Sequence, residues 1–103
     1  MRSYQLTIPA DQDLIDIWDY TDDQWGTDQA DRYIHQLHGC FEKIGTGQAV
    51  VRPLAEIHPD LASALCEKHR IFFLRRATPL IIAVLHQRMH PFERLIVRLE
   101  GDA

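Results

Sequence analysis

The chain has 103 residues, of which 46% are hydrophobic and 25% are charged, as in an ordinary globular protein. A chain this short forms one domain, residues 1–103, because two smaller pieces could not each bury a core. The formal net charge of −4 argues against a strongly basic surface that binds nucleic acid. No apolar run reaches the roughly 18 residues that a membrane span requires.

The charge is distributed unevenly along the chain. Residues 1–60 hold four basic and eleven acidic side chains, a net charge of −7, whereas residues 61–103 have a net charge of +3. This division is consistent with two binding faces of opposite charge. The alternative is that helical surfaces carry Asp and sheet surfaces carry Arg, with no partner implied.

The first residues are not followed by an apolar signal core, so we expect a cytoplasmic protein. Cys40 and Cys66 are too few for a disulfide framework. In a reducing compartment we expect them to be unbonded and to act as two small buried hydrophobes.

The N-terminal half predicts a strand followed by two helices. Residues 3–8 alternate between apolar and polar side chains, which is typical of a half-buried strand. Pro9 suits the first turn of a helix, Gly26 suits its end, and Thr27 is expected to cap the next helix. The second helix has apolar residues at helical spacing from Ala30 to Ile44 and is expected to end at Gly45 and Gly47.

The very short connection requires the two helices to run antiparallel. Their large aromatic residues lie at helical spacing and are expected in the core; they are Trp18, Trp25, Tyr33 and Phe41.

The C-terminal half predicts a sheet. Residues 46–60 read as irregular, and strands are predicted over residues 62–67, 69–76 and 80–86. A short helix is predicted after Pro91 and before Gly101. The fold class is therefore α+β, with two layers: an N-terminal strand and an antiparallel helical hairpin packed on a small antiparallel sheet in the order β-α-α-β-β-β, followed by a short C-terminal helix.

The histidines do not form a recognisable metal motif. His35 and His38 are three residues apart, His86 and His90 are four apart, and no Cys-x-x-Cys or His-Glu-x-x-His pattern supplies further ligands. The sequence therefore predicts no metal and no cofactor.

Three blocks of residues resemble the ParE toxins of the RelE/ParE superfamily. They are Tyr4-x-Leu6-Thr7 with Asp13-Leu14-x-x-Ile17-Trp18-x-Tyr20-Thr21 and Trp25-Gly26-x-x-Gln29-Ala30-x-x-Tyr33; His69-Arg70-Ile71-Phe72-Phe73; and Val84-Leu85-His86-Gln87-Arg88-Met89. The resemblance covers nearly the whole chain, and the blocks fall in order on the predicted elements. Three positions depart from the family pattern: Glu67 stands where glycine is common, Phe73 where tyrosine is common, and His90 where aspartate is common.

The resemblance implies the toxin of a type II toxin–antitoxin pair, which traps DNA gyrase on cleaved DNA and is neutralised by a ParD-like antitoxin. Such a toxin acts by binding and has no catalytic residue. We expect no membrane partner. We also expect no sequence-specific DNA binding by this chain alone, because its helical face is acidic.

Two alternatives remain open at this point. A RelE-like, ribosome-dependent mRNA endoribonuclease would use His86, Arg88 and Arg75 as catalytic residues, with Arg76 and Lys68 as further cations. The acidic chain and the confinement of tyrosines to residues 4, 20 and 33 disfavour this activity. The other alternative is an inactive member that only binds an antitoxin.

The sequence also predicts two sets of binding residues. For the target they are Arg75, Arg76, His86, Arg88 and His90. For the antitoxin they are Phe92, Leu95, Ile96 and Leu99, whose helical spacing calls for an apolar partner, either the sheet of the same chain or an antitoxin helix.

Overall fold

The computed structural model describes residues 3–102, which contain three helices and one five-stranded sheet. The helices are α1 (Ile8–Trp25), α2 (Thr27–Gly45) and α3 (Phe92–Asp102), and the strands are β1 (Gln5–Leu6), β2 (Arg52–Pro53), β3 (Leu61–Cys66), β4 (His69–Leu74) and β5 (Leu80–His86). Within the described residues, none of these helices is long and apolar enough to cross a bilayer. The predicted α+β order, including the C-terminal helix, is confirmed.

A single residue, Gly26, connects the two helices of the hairpin. The Thr7 hydroxyl caps α1 by accepting a hydrogen bond from the Ala10 N–H at 3.2 Å, and Pro9 lies in the first turn. Gly26 ends α1 with a φ of 90°, which favours glycine, and it also stands at the N-cap of α2. The prediction that Thr27 caps α2 is wrong, because Thr27 lies in the first turn and its hydroxyl donates to the Asp22 carboxylate at 2.7 Å.

The sheet has the strand order β1-β5-β4-β3-β2. Strands β2 to β5 pair antiparallel, but β1 pairs parallel with β5, with Gln5 opposite Leu80. Strands β2 to β5 are thus the predicted antiparallel sheet, and the N-terminal strand makes the sheet as a whole a mixed one. The first strand is also shorter than predicted, because Thr7 already caps α1.

Strand β5 contains a bulge in its pairing with β4. Phe72 pairs with Ala83 and Phe73 pairs with Ile81, so Ile82 is an extra residue without a partner on β4.

Both faces of the sheet are covered. One face packs against the helical hairpin, with Ile71 and Phe73 of β4 meeting Leu37 and Phe41 of α2. The alternate side chains of β4 point to the other face, where Leu95 of α3 packs among apolar residues of β3, β4 and β5. The predicted two-layer arrangement thus becomes three layers where α3 covers the sheet.

Several boundaries differ from the sequence prediction by one or two residues. Strands β3 and β4 are Leu61–Cys66 and His69–Leu74, and α3 continues past Gly101 to Asp102. The segment 46–60, predicted as irregular, contains the two-residue strand β2, which pairs with β3.

The two cysteines form a disulfide that joins α2 to β3, with the Cα atoms of Cys40 and Cys66 6.3 Å apart. The expectation of two unbonded thiols was wrong. The prediction failed because the residues are 26 positions apart, and their proximity depends on how α2 packs on the sheet.

Candidate functional site

An open groove lies between the helical hairpin and one end of the sheet, with a volume of about 710 Å³. We call it the hairpin groove. Its hairpin wall includes Ile17, Tyr20, Trp25 and Tyr33, and its sheet wall includes Glu67, Lys68, His69, His86, Met89 and Arg94. This volume is within the range of small-ligand pockets, but the groove is open and can also accept side chains of a protein partner.

The rim of the hairpin groove carries exposed apolar side chains. Trp25 is 70% exposed, Tyr20 is 67% exposed and Met89 is 38% exposed. Large aromatic residues and methionine are enriched at protein interfaces, so this rim is typical of a docking surface.

The prediction that Trp25 belongs to the core was therefore wrong. Only Phe41 of the four aromatic residues assigned to the core is fully buried, whereas Trp18 and Tyr33 are partly buried. Trp25 lies in the last turn of α1, where the helix borders the open groove. The indole of Trp18 instead donates to the Asp31 carboxylate at 2.9 Å and thereby links the two helices.

A tyrosine–histidine pair connects α2 to the turn between β3 and β4. The Tyr33 hydroxyl accepts a hydrogen bond from the Lys68 backbone N–H at 3.2 Å and lies 2.6 Å from His69 Nδ1. Burial raises the pKa of Tyr33 and keeps its hydroxyl protonated.

Burial, together with the nearby His86, lowers the pKa of His69 to about 4. His69 is therefore neutral at pH 7. Its Nδ1 can accept a hydrogen bond from the Tyr33 hydroxyl while Nε2 carries the ring proton.

His86 stands opposite His69 in the ladder between β4 and β5. The two rings meet edge to face, with centroids 5.4 Å apart. His86 Nδ1 accepts the Arg88 backbone N–H at 3.1 Å, and this fixes the ring orientation at the end of β5. The groove thus contains two adjacent imidazoles, each held at Nδ1 by a neighbouring group.

The five residues predicted to bind the target fall into two groups. Arg75 and Arg76 follow β4, next to the Leu74–Leu80 pair, whereas His86, Arg88 and His90 lie at the other end of β5. The six residue steps from Leu80 to His86 correspond to roughly 20 Å. The three residues proposed for a nuclease, His86, Arg88 and Arg75, are consequently not brought together.

The four α3 residues predicted to bind an antitoxin differ in exposure. Leu95 is completely buried and Leu99 packs against the same apolar cluster, so the sheet of this chain already provides their partner. Phe92 is 59% exposed and Ile96 is partly exposed, and both can contact another protein.

Sequence reasoning missed the pairing of Tyr33 with His69. The residues are 36 positions apart, and periodicity assigned Tyr33 to the core. A usable signal was that a tyrosine in an apolar stripe needs a hydrogen-bond partner for its hydroxyl. Within residues 3–102, no three His, Cys, Asp or Glu side chains gather as a metal ion would need.

Comparison with known proteins gives consistent results. The chain is 39% identical over 103 residues to "Toxin ParE" of Escherichia coli, covering 98% of this chain and 100% of that protein. It is 31% identical over 90 residues to "Toxin ParE1" of Caulobacter vibrioides, covering 87% of this chain and 94% of that protein.

A solved structure described as the chromosomal ParDE TA system from P. aeruginosa shares the fold. Its TM-score is 0.70 at 19% identity, covering 84% of this chain and 96% of that one. Residues 4–91 match the sequence model described as "ParE toxin of type II toxin-antitoxin system, parDE". The chain therefore belongs to the ParE family of toxins from type II toxin–antitoxin systems.

Proposed function

We propose that this ParE-family toxin acts in the cytoplasm by binding DNA gyrase and holding it on cleaved DNA, and that a ParD-like antitoxin neutralises it. The observation that carries the proposal is the relationship to the E. coli toxin, which extends over 98% of this chain. The gyrase target is what the family resemblance implies.

The arrangement of charged residues supports a binding mode of action. An RNA-cleaving centre needs a proton-transfer group and cations around one phosphate. Here Arg75 lies at the opposite end of the sheet from His86 and Arg88. His69 is neutral at pH 7 and is held by Tyr33, which favours a structural role over proton transfer.

For the target contact, we propose the group formed by His86, Arg88 and His90. His86 ends β5 and lines the hairpin groove, and Arg88 and His90 follow it closely in the chain, so charge and the apolar rim of the groove are available together. Arg75 and Arg76 form a second surface at the other end of the sheet, which is the alternative contact.

For the antitoxin, we propose an amphipathic segment that folds on binding along the hairpin groove. The exposed rim residues Tyr20 and Trp25 supply the apolar area, and Phe92 extends the apolar surface onto α3. Leu95 and Leu99 could contribute only if α3 left the sheet. The acidic hairpin disfavours operator binding by the toxin alone, so DNA binding belongs to the antitoxin.

The deciding experiment combines two assays with the same purified protein. Gyrase and ATP act on supercoiled plasmid with and without the toxin, and an in vitro translation reaction runs in parallel. We expect linear DNA to accumulate while translation is unchanged. Truncated mRNA with unaffected gyrase would assign the chain to the RelE-like nucleases instead, and no effect in either assay would indicate an inactive, antitoxin-binding member.

Two matched variants then separate the proposed target surfaces. His86→Ala/Arg88→Ala should abolish plasmid linearisation, whereas Arg75→Ala/Arg76→Ala, at the other end of the sheet, should retain it. The reverse result would move the gyrase contact to the β4–β5 turn.

A further inference from the structure

We propose that the Cys40–Cys66 disulfide is a reversible, thiol-controlled link that fixes the sheet wall of the hairpin groove. This inference concerns the toxin itself and depends on neither the gyrase target nor the antitoxin. It follows from where the two cysteines lie relative to the residues that line the groove.

The disulfide is the covalent part of a larger attachment between α2 and the end of β3. Cys66 is the last residue of β3, and the next three residues, Glu67, Lys68 and His69, line the groove. On the helix side, Tyr33 lies two turns before Cys40 and bonds the same turn through Lys68 and His69. Helix α2 therefore holds the β3–β4 turn at two points on one face, one covalent and one polar.

The turn itself needs such support. Glu67 has a φ of 55°, in the left-handed region that a side chain other than glycine rarely adopts. Lys68 and His69 follow Glu67 directly, so the place of both in the groove wall depends on this conformation. Loss of the covalent link leaves the Tyr33 hydrogen bonds as the polar attachment between α2 and the turn among the residues described.

The environment allows the link to open without unfolding the chain. Cys66 is 3% exposed and Cys40 is half-buried, and both pack against the core beneath the hairpin. Reduced cysteines are small hydrophobes that suit these positions. The Cα separation of 6.3 Å lies in the range that a disulfide spans, so the bond can form again on this backbone after it has been reduced.

Exchange with a low-molecular-weight thiol such as glutathione opens the link in two steps. A glutathione thiolate attacks Sγ of the more accessible Cys40, the sulfur–sulfur bond breaks, and Cys66 leaves as a thiolate that takes up a proton. A second glutathione thiolate attacks the glutathione sulfur of the mixed disulfide and releases Cys40 as the thiol. Two electrons reduce the protein, and one glutathione disulfide forms.

The first measurement is the number of free thiols in the whole protein across a series of reduced-to-oxidised glutathione ratios. Alkylation followed by mass spectrometry should show both thiols appearing together in a single two-electron transition. A thiol count that stays at zero or at two across the entire series would overturn the proposal.

The second measurement tests the effect on the groove. Reduction should lower the Tm by on the order of 10 °C and should increase amide exchange at Glu67, Lys68 and His69 at least several-fold. The turn formed by residues 75–79, at the far end of the sheet, should be unchanged. Equal Tm and equal exchange in the two states would contradict a role in fixing the groove.

The Cys40→Ala/Cys66→Ala variant is the matched control. It should exchange at the β3–β4 turn as the reduced protein does, and it should not respond to glutathione. If the variant does not fold, the comparison of reduced with oxidised wild-type protein still decides the question.

Discussion

Arg98 of α3 and Asp13 of α1 form a two-point ion pair, with nitrogen–oxygen distances of 2.8 and 2.9 Å. The pair also bonds the backbone of β5 along the edge that β1 pairs with, past the point where the short strand β1 ends. The Val84 N–H donates to Asp13 at 2.9 Å, and Arg98 donates to the Ile82 carbonyl at 2.7 Å. Two side chains from different helices thus satisfy backbone groups that the sheet leaves open after the bulge.

Replacing Arg98 should be strongly destabilising. Arg98→Gln leaves the partly buried Asp13 carboxylate and the Ile82 carbonyl without their partner, so the free energy of unfolding should fall by about 2–4 kcal/mol. Urea denaturation measures the change. Arg94→Gln, at an exposed position of the same helix, should stay within about 0.5 kcal/mol. Equal effects of the two variants would show that the ion pair adds no stability.

Substitutions at Leu95 and Val97 should show how much the packing of α3 on the sheet contributes to the free energy of unfolding. Leu95 is completely buried against the sheet, so Leu95→Ala should cost about 2–5 kcal/mol. Val97 is 66% exposed, and Val97→Ala should cost less than about 0.5 kcal/mol. Chemical denaturation of both variants tests this, and a small effect at Leu95 would mean that α3 does not stay on the sheet in solution.

Trp25 should behave as a surface residue. Trp25→Ala should change the free energy of unfolding by less than about 1 kcal/mol, whereas Phe41→Ala should cost about 3–5 kcal/mol. If Trp25 anchors the antitoxin as proposed, its loss should weaken that complex by about 2 kcal/mol or more, roughly 30-fold. Titration calorimetry with the antitoxin measures this, and unchanged affinity would place the docking surface elsewhere.

The neutral His69 should make stability depend on pH. The unfolded chain binds a proton at His69 below about pH 6.5, whereas the folded chain does so only below about pH 4. Between these values the unfolded state binds more protons, so stability falls as the pH falls through this window. Because the ring is partly exposed, we expect a contribution of about 1–2 kcal/mol.

The variant His69→Gln isolates this contribution. Urea unfolding at pH 7, 6 and 5 should show a shallower loss of stability in His69→Gln than in the wild type. His35→Gln, at an exposed position of α2, should retain the wild-type slope. Identical slopes in all three proteins would show that His69 titrates normally in the folded state.

Local patterns were sufficient to predict most of the fold. Helical spacing from Ala30 to Ile44 and the glycine at position 26 predict the hairpin, and the spacing of Leu95 and Leu99 predicts α3. These signals are local because the apolar face and the turn chemistry of each element lie within its own residues.

Features that depend on distant residues could not be predicted in this way. The parallel pairing of β1 with β5 and the bond between Cys40 and Cys66 join residues far apart in sequence. The exposure of Trp25 depends on where α1 ends relative to the sheet, and its helical spacing carries no information about that. In the candidate site, His86 was found from its motif, whereas the link between Tyr33 and His69 required the packed structure.

The parallel pairing of β1 with β5 has a consequence for how the toxin folds. Gln5 and Leu80 are 75 positions apart, and the whole helical hairpin lies between them in the chain. Non-local pairing of this kind slows folding, because the entropy of closing a long loop is lost before the contact stabilises the chain. The edge of the sheet at β5 therefore stays open in a folding chain until β1 has returned to it.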